Sequence, residues 1–101
     1  MLTSKQRAFL RSLAVNEDTI LMVGKGGVSD ELIAQAEGAL NARELIKGKV
    51  LETAPGDARG FAEQIAGETR AEVVQVIGSK FVLYRRNEKK PVIELPKVKK
   101  R

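Results

Sequence analysis

The sequence predicts a two-layer α/β (α+β) domain, with one mixed four-stranded sheet and three helices packed on it. Three observations carry this. Apolar residues alternate along the chain between helical spacing and short strand-like runs, in the order α-β-α-β-α-β-β. Glycine or proline punctuation falls between those runs at 24–27, 55–56 and 78–79. The chain has 101 residues, 43% hydrophobic and 31% charged, enough for one modest core and too few for two.

Thr3 followed by Gln6 is a capping box that opens the first helix. Phe9, Leu10, Leu13 and Ala14 share its apolar face, and Lys5, Arg7 and Arg11 stay off it. The polar cluster Asn16, Glu17 and Asp18 ends the helix, and Ile20 to Val23 reads as a buried strand. Ser29 caps a second helix, with Asp30 and Glu31 in its first turn and Val28 and Ile33 at staple spacing. Its stripe is Leu32, Ile33, Ala36 and Leu40. From Glu44 to Leu51 the period drops to two, placing Leu45, Lys47, Lys49 and Leu51 on one side and Ile46, Gly48 and Val50 on the other. Gly48 weakens this strand or marks a bulge.

Pro55-Gly56 is a turn, and Asp57 caps a third helix that points Phe61, Ile65 and Ala66 inward. Glu72 to Ile77 is a β-branched strand, Gly78-Ser79 a hairpin turn, and Lys80 to Arg86 the returning antiparallel strand, with Phe81, Leu83 and Tyr84 packing. Asn87 to Lys90 is a loop, and Val92 to Leu95 an extra strand or a strap on the body. The first two strands are joined through a helix, which suits a parallel pair.

Composition removes several functions. Without cysteine or histidine there is no disulfide framework, no thiolate nucleophile or metal site, and no imidazole acid–base chemistry. No carboxylate pair stands at a catalytic spacing, so the expected protein is not an enzyme and carries no cofactor or metal. No apolar run approaches the ~20 residues that span a bilayer, and no signal peptide is legible, so a cytoplasmic protein with no membrane partner is expected. The net charge of +5 is uneven: residues 85–101 hold eight basic residues against two acidic, while residues 1–84 hold ten against eleven. A domain over 1–86 with a basic tail over 87–101 follows. Such a tail meets a polyanion or merely solubilises.

The most informative segment is Gly24-Lys25-Gly26-Gly27, leaving a strand and entering a helix. Glycines let a backbone approach a ligand, amides at a helix start point outward, and Lys25 adds a full charge, which together suit a phosphate. Asp30 and Glu31 weaken the field over the helix itself, so the anion belongs ahead of it, near Lys25. A Walker A loop fails because Thr19 and Gly26 stand where Gly and Ser/Thr are required. The dinucleotide fingerprint meets Ser29 at its third glycine, and the chain is short for that fold. A Gly-x-x-Gly loop before a helix is how KH-type modules clamp a nucleic-acid backbone. The plain alternative is a tight turn.

Four segments in order carry a broader likeness: Leu2 to Ala14 (LTSKQRAFLRSLA), Val23 to Ser29 (VGKGGVS), Ala39 to Lys47 (ALNARELIK) and Val74 to Arg85 (VQVIGSKFVLYR). Together they resemble the CRM domain, named for chloroplast RNA splicing and ribosome maturation, in its stand-alone bacterial YhbY-like form. The resemblance covers about residues 2 to 86. It implies a fold similar to the C-terminal domain of translation initiation factor three and RNA binding through the loop. For the stand-alone form it implies association with rRNA in precursors of the large (50S) ribosomal subunit.

Carried onto this chain, the implied RNA-binding residues are Gly24, Lys25, Gly26 and Gly27. Beside them stand Lys5, Arg7 and Arg11 of the first helix and Arg43 and Lys47 around the second strand. Relatives often have a histidine and a proline within the stretch Val15 to Thr19, and a β-branched residue at Gly48; this chain departs at both. Only 4% of residues are aromatic, so base-stacking platforms are scarce and recognition should lean on backbone and shape. A monomeric ribosome assembly factor is the leading expectation. The rivals are an RNA splicing or chaperone factor, a protein-docking adaptor on the ribosome and a small-molecule phosphate enzyme.

Overall fold

The computed structural model describes residues 2–95. Of the basic tail expected over 87–101, the run 96–101 lies outside the described residues. The elements are α1 (Ser4–Ala14), β1 (Thr19–Val23), α2 (Asp30–Arg43), β2 (Leu45–Val50), α3 (Ala58–Thr69), β3 (Glu72–Ile77) and β4 (Lys80–Tyr84). Each helix begins on the residue that the sequence marks: Thr3 and Gln6 form a reciprocal capping box, Ser29 Oγ accepts from the Leu32 amide, and Asp57 Oδ1 accepts from that of Gly60.

The sheet order is β1-β2-β4-β3. β1 and β2 are parallel, as the intervening helix requires, and β3 and β4 form the antiparallel hairpin turned at Gly78-Ser79. The order is not sequential, because β4 inserts between β2 and β3. That insertion buries β4 on both faces: Phe81 and Leu83 point to one side, Val82 and Tyr84 to the other, and all four are buried.

The larger cluster gathers Leu21, Leu40, Ile46, Phe61, Ile65 and Phe81, with residues of α2 and α3, on one face of the sheet. A smaller cluster joins Leu10 and Ala14 of α1 to Leu45, Val74, Val82 and Tyr84 on the other. The two-layer expectation therefore gains a third layer. A four-stranded sheet whose central strands are apolar on both faces needs cover on both, and α1 supplies the second.

Polar contacts fix the layers. Arg7 Nη1 donates to the Val73 carbonyl at 2.6 Å, and its other terminal nitrogen lies 3.8 Å from Glu72, so α1 is clamped to β3. Arg85 donates to Glu37 Oε1 at 2.6 Å, to the Thr69 carbonyl at 2.7 Å and to Asn41 Oδ1 at 2.7 Å. It ties α2 to the end of α3. Residues 87–95 form no strand and instead strap across the body. The buried Glu44 carboxylate accepts from the amides of Asn87, Val92 and Ile93, and Ile93 and Leu95 pack on the smaller cluster.

Tyr84 is buried on the central strand β4, so it is no base-stacking platform. Its hydroxyl has no hydrogen-bond partner among the described residues. Burial, with the Glu44 carboxylate adding to it, raises the phenol above its ordinary value of 10.0. An unpartnered buried hydroxyl contributes nothing for its desolvation, so Tyr84→Phe is expected to leave stability unchanged or raise it by up to about 1 kcal/mol in urea melts. The raised phenol favours folding fully below pH 10.0, and that contribution is lost as pH climbs further. The variant lacks this loss.

Candidate nucleic-acid interface

Residues 24–27 form a tight turn at the end of β1, closed by the Gly27 amide donating to the Gly24 carbonyl at 2.9 Å. Gly27 has φ +66, and a Cβ there would stand 3.7 Å from Pro55 and 3.8 Å from the Phe61 ring. The turn therefore needs a glycine at 27, and the loop rests on α3 and on the segment after β2. Gly26 is different. Its backbone is not left-handed, and a Cβ added to it would meet nothing within 4 Å. No feature of the fold requires glycine there.

Lys25 and Gly26 are exposed at the tip, and their amides have no hydrogen-bond partner among the described residues. The result is a bare, cationic stretch of backbone open to an approaching anion. Behind it, the first turn of α2 is capped by Ser29 and carries the exposed carboxylates of Asp30 and Glu31. These favour an anion at the loop tip over one on the helix axis.

The loop sits at one end of the sheet. Leu51 donates to the Val23 carbonyl at 2.8 Å and Val50 to the Ser79 carbonyl at 2.7 Å, so the segment after β2 and the β3–β4 hairpin end there too. The other expected residues divide. Arg11, exposed on the second half of α1, borders a groove with Lys47 and Lys80 on the α1 side of the sheet. Lys5 stands exposed in the first turn of α1, which lies by Glu72 and Tyr84 at the far end. Arg43 closes α2, whose 14 residues put it about 20 Å from that helix's start. Arg7 is half-buried and engaged by β3. The structure thus gathers Lys25 at the loop and Arg11 with Lys47 on the adjoining sheet, and leaves Lys5, Arg7 and Arg43 apart from them.

Two cations escaped the sequence reading. Lys49 is nearer the loop than Lys47, and its Cα partner across the sheet is Lys80. Lys49 reads in sequence as the polar side of a half-exposed strand, and Lys80 as the first residue after a turn. Only the insertion of β4 beside β2 makes them neighbours.

The model of the CRS1/YhbY (CRM) domain matches residues 2–85. The chain belongs to this family. It is 47% identical over 96 residues to the probable RNA-binding protein YqeI of Bacillus subtilis, covering 95% of this chain and 100% of that protein. It is 38% identical to an RNA-binding protein of Haemophilus influenzae, covering 95% and 96%. Among solved structures, the solution structure of the Staphylococcus aureus protein SAV1595, for which RNA binding is proposed, superposes with a TM-score of 0.79 at 48% identity. It covers 95% of this chain and 100% of that one. The mixed sheet with three helices is thus the fold of a CRM domain. No helix among the described residues of this CRM domain is long and apolar enough to cross a membrane.

Proposed function

We propose that this protein binds RNA, and that its target is rRNA in precursors of the large ribosomal subunit, where it acts as an assembly factor without catalysis. The observation that carries the reading is Gly26. The fold does not need a glycine there, yet a side chain would occupy the space that a sugar–phosphate backbone takes when it lies against the amides of 25 and 26. Lys25 supplies the charge beside it. The RNA-binding names of the relatives support the polymer. An rRNA precursor as partner implies the cytoplasm in a bacterium.

With few aromatic side chains, binding rests on phosphate contacts and falls steeply with salt. Lys25→Ala combined with Gly26→Asp is expected to weaken binding to large-subunit rRNA fragments by tenfold or more in a filter assay, with an unchanged circular dichroism spectrum. Unchanged affinity removes the loop from the mechanism. Sucrose-gradient fractionation of tagged protein with sequencing of crosslinked RNA tests the target. Enrichment on subunit precursors over mature ribosomes is the expected result, and an even distribution rejects the assembly role.

A further inference from the structure

The helix α1 has 11 residues, about 16 Å of length, and covers the α1 side of the sheet only in part. The end beside the loop is left open. There the register sets one row across all four strands: Met22 of β1 beside Lys49 of β2, Lys49 beside Lys80 of β4, and Lys80 beside Ile77 of β3. All four side chains lie on the α1 side, because Leu21, Val50, Val76 and Phe81, each one position away, pack in the cluster on the opposite face. Met22 is 58% exposed and Ile77 63%. Arg11, Lys47 and the exposed Val15 border the same surface.

Two features of this row have no structural return. Lysines directly opposite each other on a sheet destabilise it. Neither Lys49 nor Lys80, nor Arg11 or Lys47, has an ion pair among the described residues. No carboxylate lines the groove that Arg11, Lys47 and Lys80 share, and Glu52 and Asp57 border the neighbouring cleft at Lys49 without an ion pair to it. The exposed Met22 and Ile77 flank the lysines rather than joining a core. A surface with paired cations in the middle and apolar side chains at both ends matches a chain that alternates charge and flat apolar faces. An unpaired nucleic-acid strand is such a chain: its phosphates need cations and its unstacked bases need apolar contact. A duplex offers the phosphates and hides the bases. An acidic peptide offers the charge without the flat faces.

We propose that the open sheet face is a second RNA contact, which takes an unpaired segment leaving the Gly-x-x-Gly loop, with its phosphates on Lys49 and Lys80 and its bases against Met22 and Ile77. This rests on the RNA-binding reading of the loop and adds to it a single-strand requirement. Three full-length variants test it by fluorescence anisotropy: Lys49→Gln with Lys80→Gln, Met22→Ser with Ile77→Ser, and the loop double variant as reference. The probes are an RNA hairpin with a short uridine extension and the same hairpin with a blunt end.

Both face variants are expected to weaken binding of the extended hairpin about tenfold and to leave the blunt hairpin within twofold. The lysine variant also lowers the salt slope by about two counterions. All four positions lie at the surface, and thermal melts identify any variant that misfolds. In unsubstituted protein, the extended hairpin is expected to protect Lys49 and Lys80 from acetylation, read by mass spectrometry. This measurement stands even if a variant fails to fold.

Wild-type affinity of both face variants, with no protection of the lysines, overturns the proposal, and the reading of the loop stands if its own variant still loses binding. Equal losses on both hairpins overturn the single-strand requirement. Binding of polyglutamate that depends on Lys49 and Lys80, with no effect of either on RNA, overturns it in favour of an acidic protein partner. If neither hairpin nor any rRNA fragment binds the wild-type protein, the RNA reading itself fails.

Discussion

Gly48→Ala is expected to destabilise the protein by about 3 kcal/mol or more, a large share of the total for a domain of this size. The sign runs against propensity. Glycine inside a strand ordinarily costs about 0.5–1 kcal/mol relative to alanine, so the substitution would stabilise an unconstrained strand. Here a Cβ would fall 2.2 Å from Cζ of Phe81, 2.6 Å from Cε1 and 2.9 Å from Cε2. Gly48 and Phe81 are Cα partners on adjacent strands, and the ring lies flat over the missing side chain. Phe81 is 1% exposed and enclosed by the larger cluster, so it has nowhere to retreat.

A double-mutant cycle in urea isolates the cause. Phe81→Leu shortens the side chain and is itself destabilising, by about 1–2 kcal/mol. If ring contact is what excludes alanine, Gly48→Ala costs at least about 1 kcal/mol less when Phe81→Leu is already in place. Additive effects would show that the glycine serves the backbone alone.

This position shows where the sequence stops speaking. Period-two patterning places Gly48 on the side of Ile46 and Val50, and that is its side. It offers a weakened strand or a bulge as the reason. In the structure β2 and β4 pair without interruption through Gly48, and the irregularity falls on β1, where the register shifts between Thr19 and Leu21 opposite Lys47 and Gly48. A strand's own residues do not announce which ring will cross them from a neighbour brought in by topology.

The same limit governs the interface. Caps, staples and turns are local, and Thr3, Ser29, Asp57 and Gly78-Ser79 mark their elements correctly because each acts within a few residues of itself. The loop was legible for the same reason. Arg7 and Arg85 are not: Arg7 reads as a cation offered to RNA and Arg85 as part of the C-terminal basic excess, and both are engaged by carbonyls and carboxylates 16 to 66 residues away. Lys49 and Lys80 show the converse, ordinary residues made conspicuous by strand order.

Glu44 yields the second large effect. It ends α2 with φ +66, is fully buried, and reads in sequence only as the first residue of a period-two strand. Oε2 accepts from Asn87 at 2.6 Å, and Oε1 accepts from Val92 at 2.9 Å and from Ile93 at 2.6 Å. Its own carbonyl accepts from Arg85 at 2.9 Å. One carboxylate thus holds the strap 87–95 by three amides. Hydrogen bonds to a charged group are worth about 1.5–3 kcal/mol each, but the sum is not the expected loss. Once the carboxylate is gone the strap can peel away and give its amides to water, so the loss is capped by the free energy of that local opening, on the order of 2–4 kcal/mol.

Glu44→Ala is therefore expected to accelerate hydrogen exchange sharply at Asn87, Val92 and Ile93, and to uncover the side of the smaller cluster that Ile93 and Leu95 close. The amides of β2 and β4 should lose far less protection. Glu44→Gln should fall nearly as far as alanine, because a carboxamide offers one acceptor and turns a donor toward a donor. Retained protection at all three amides in both variants would mean that apolar contact alone seats the strap.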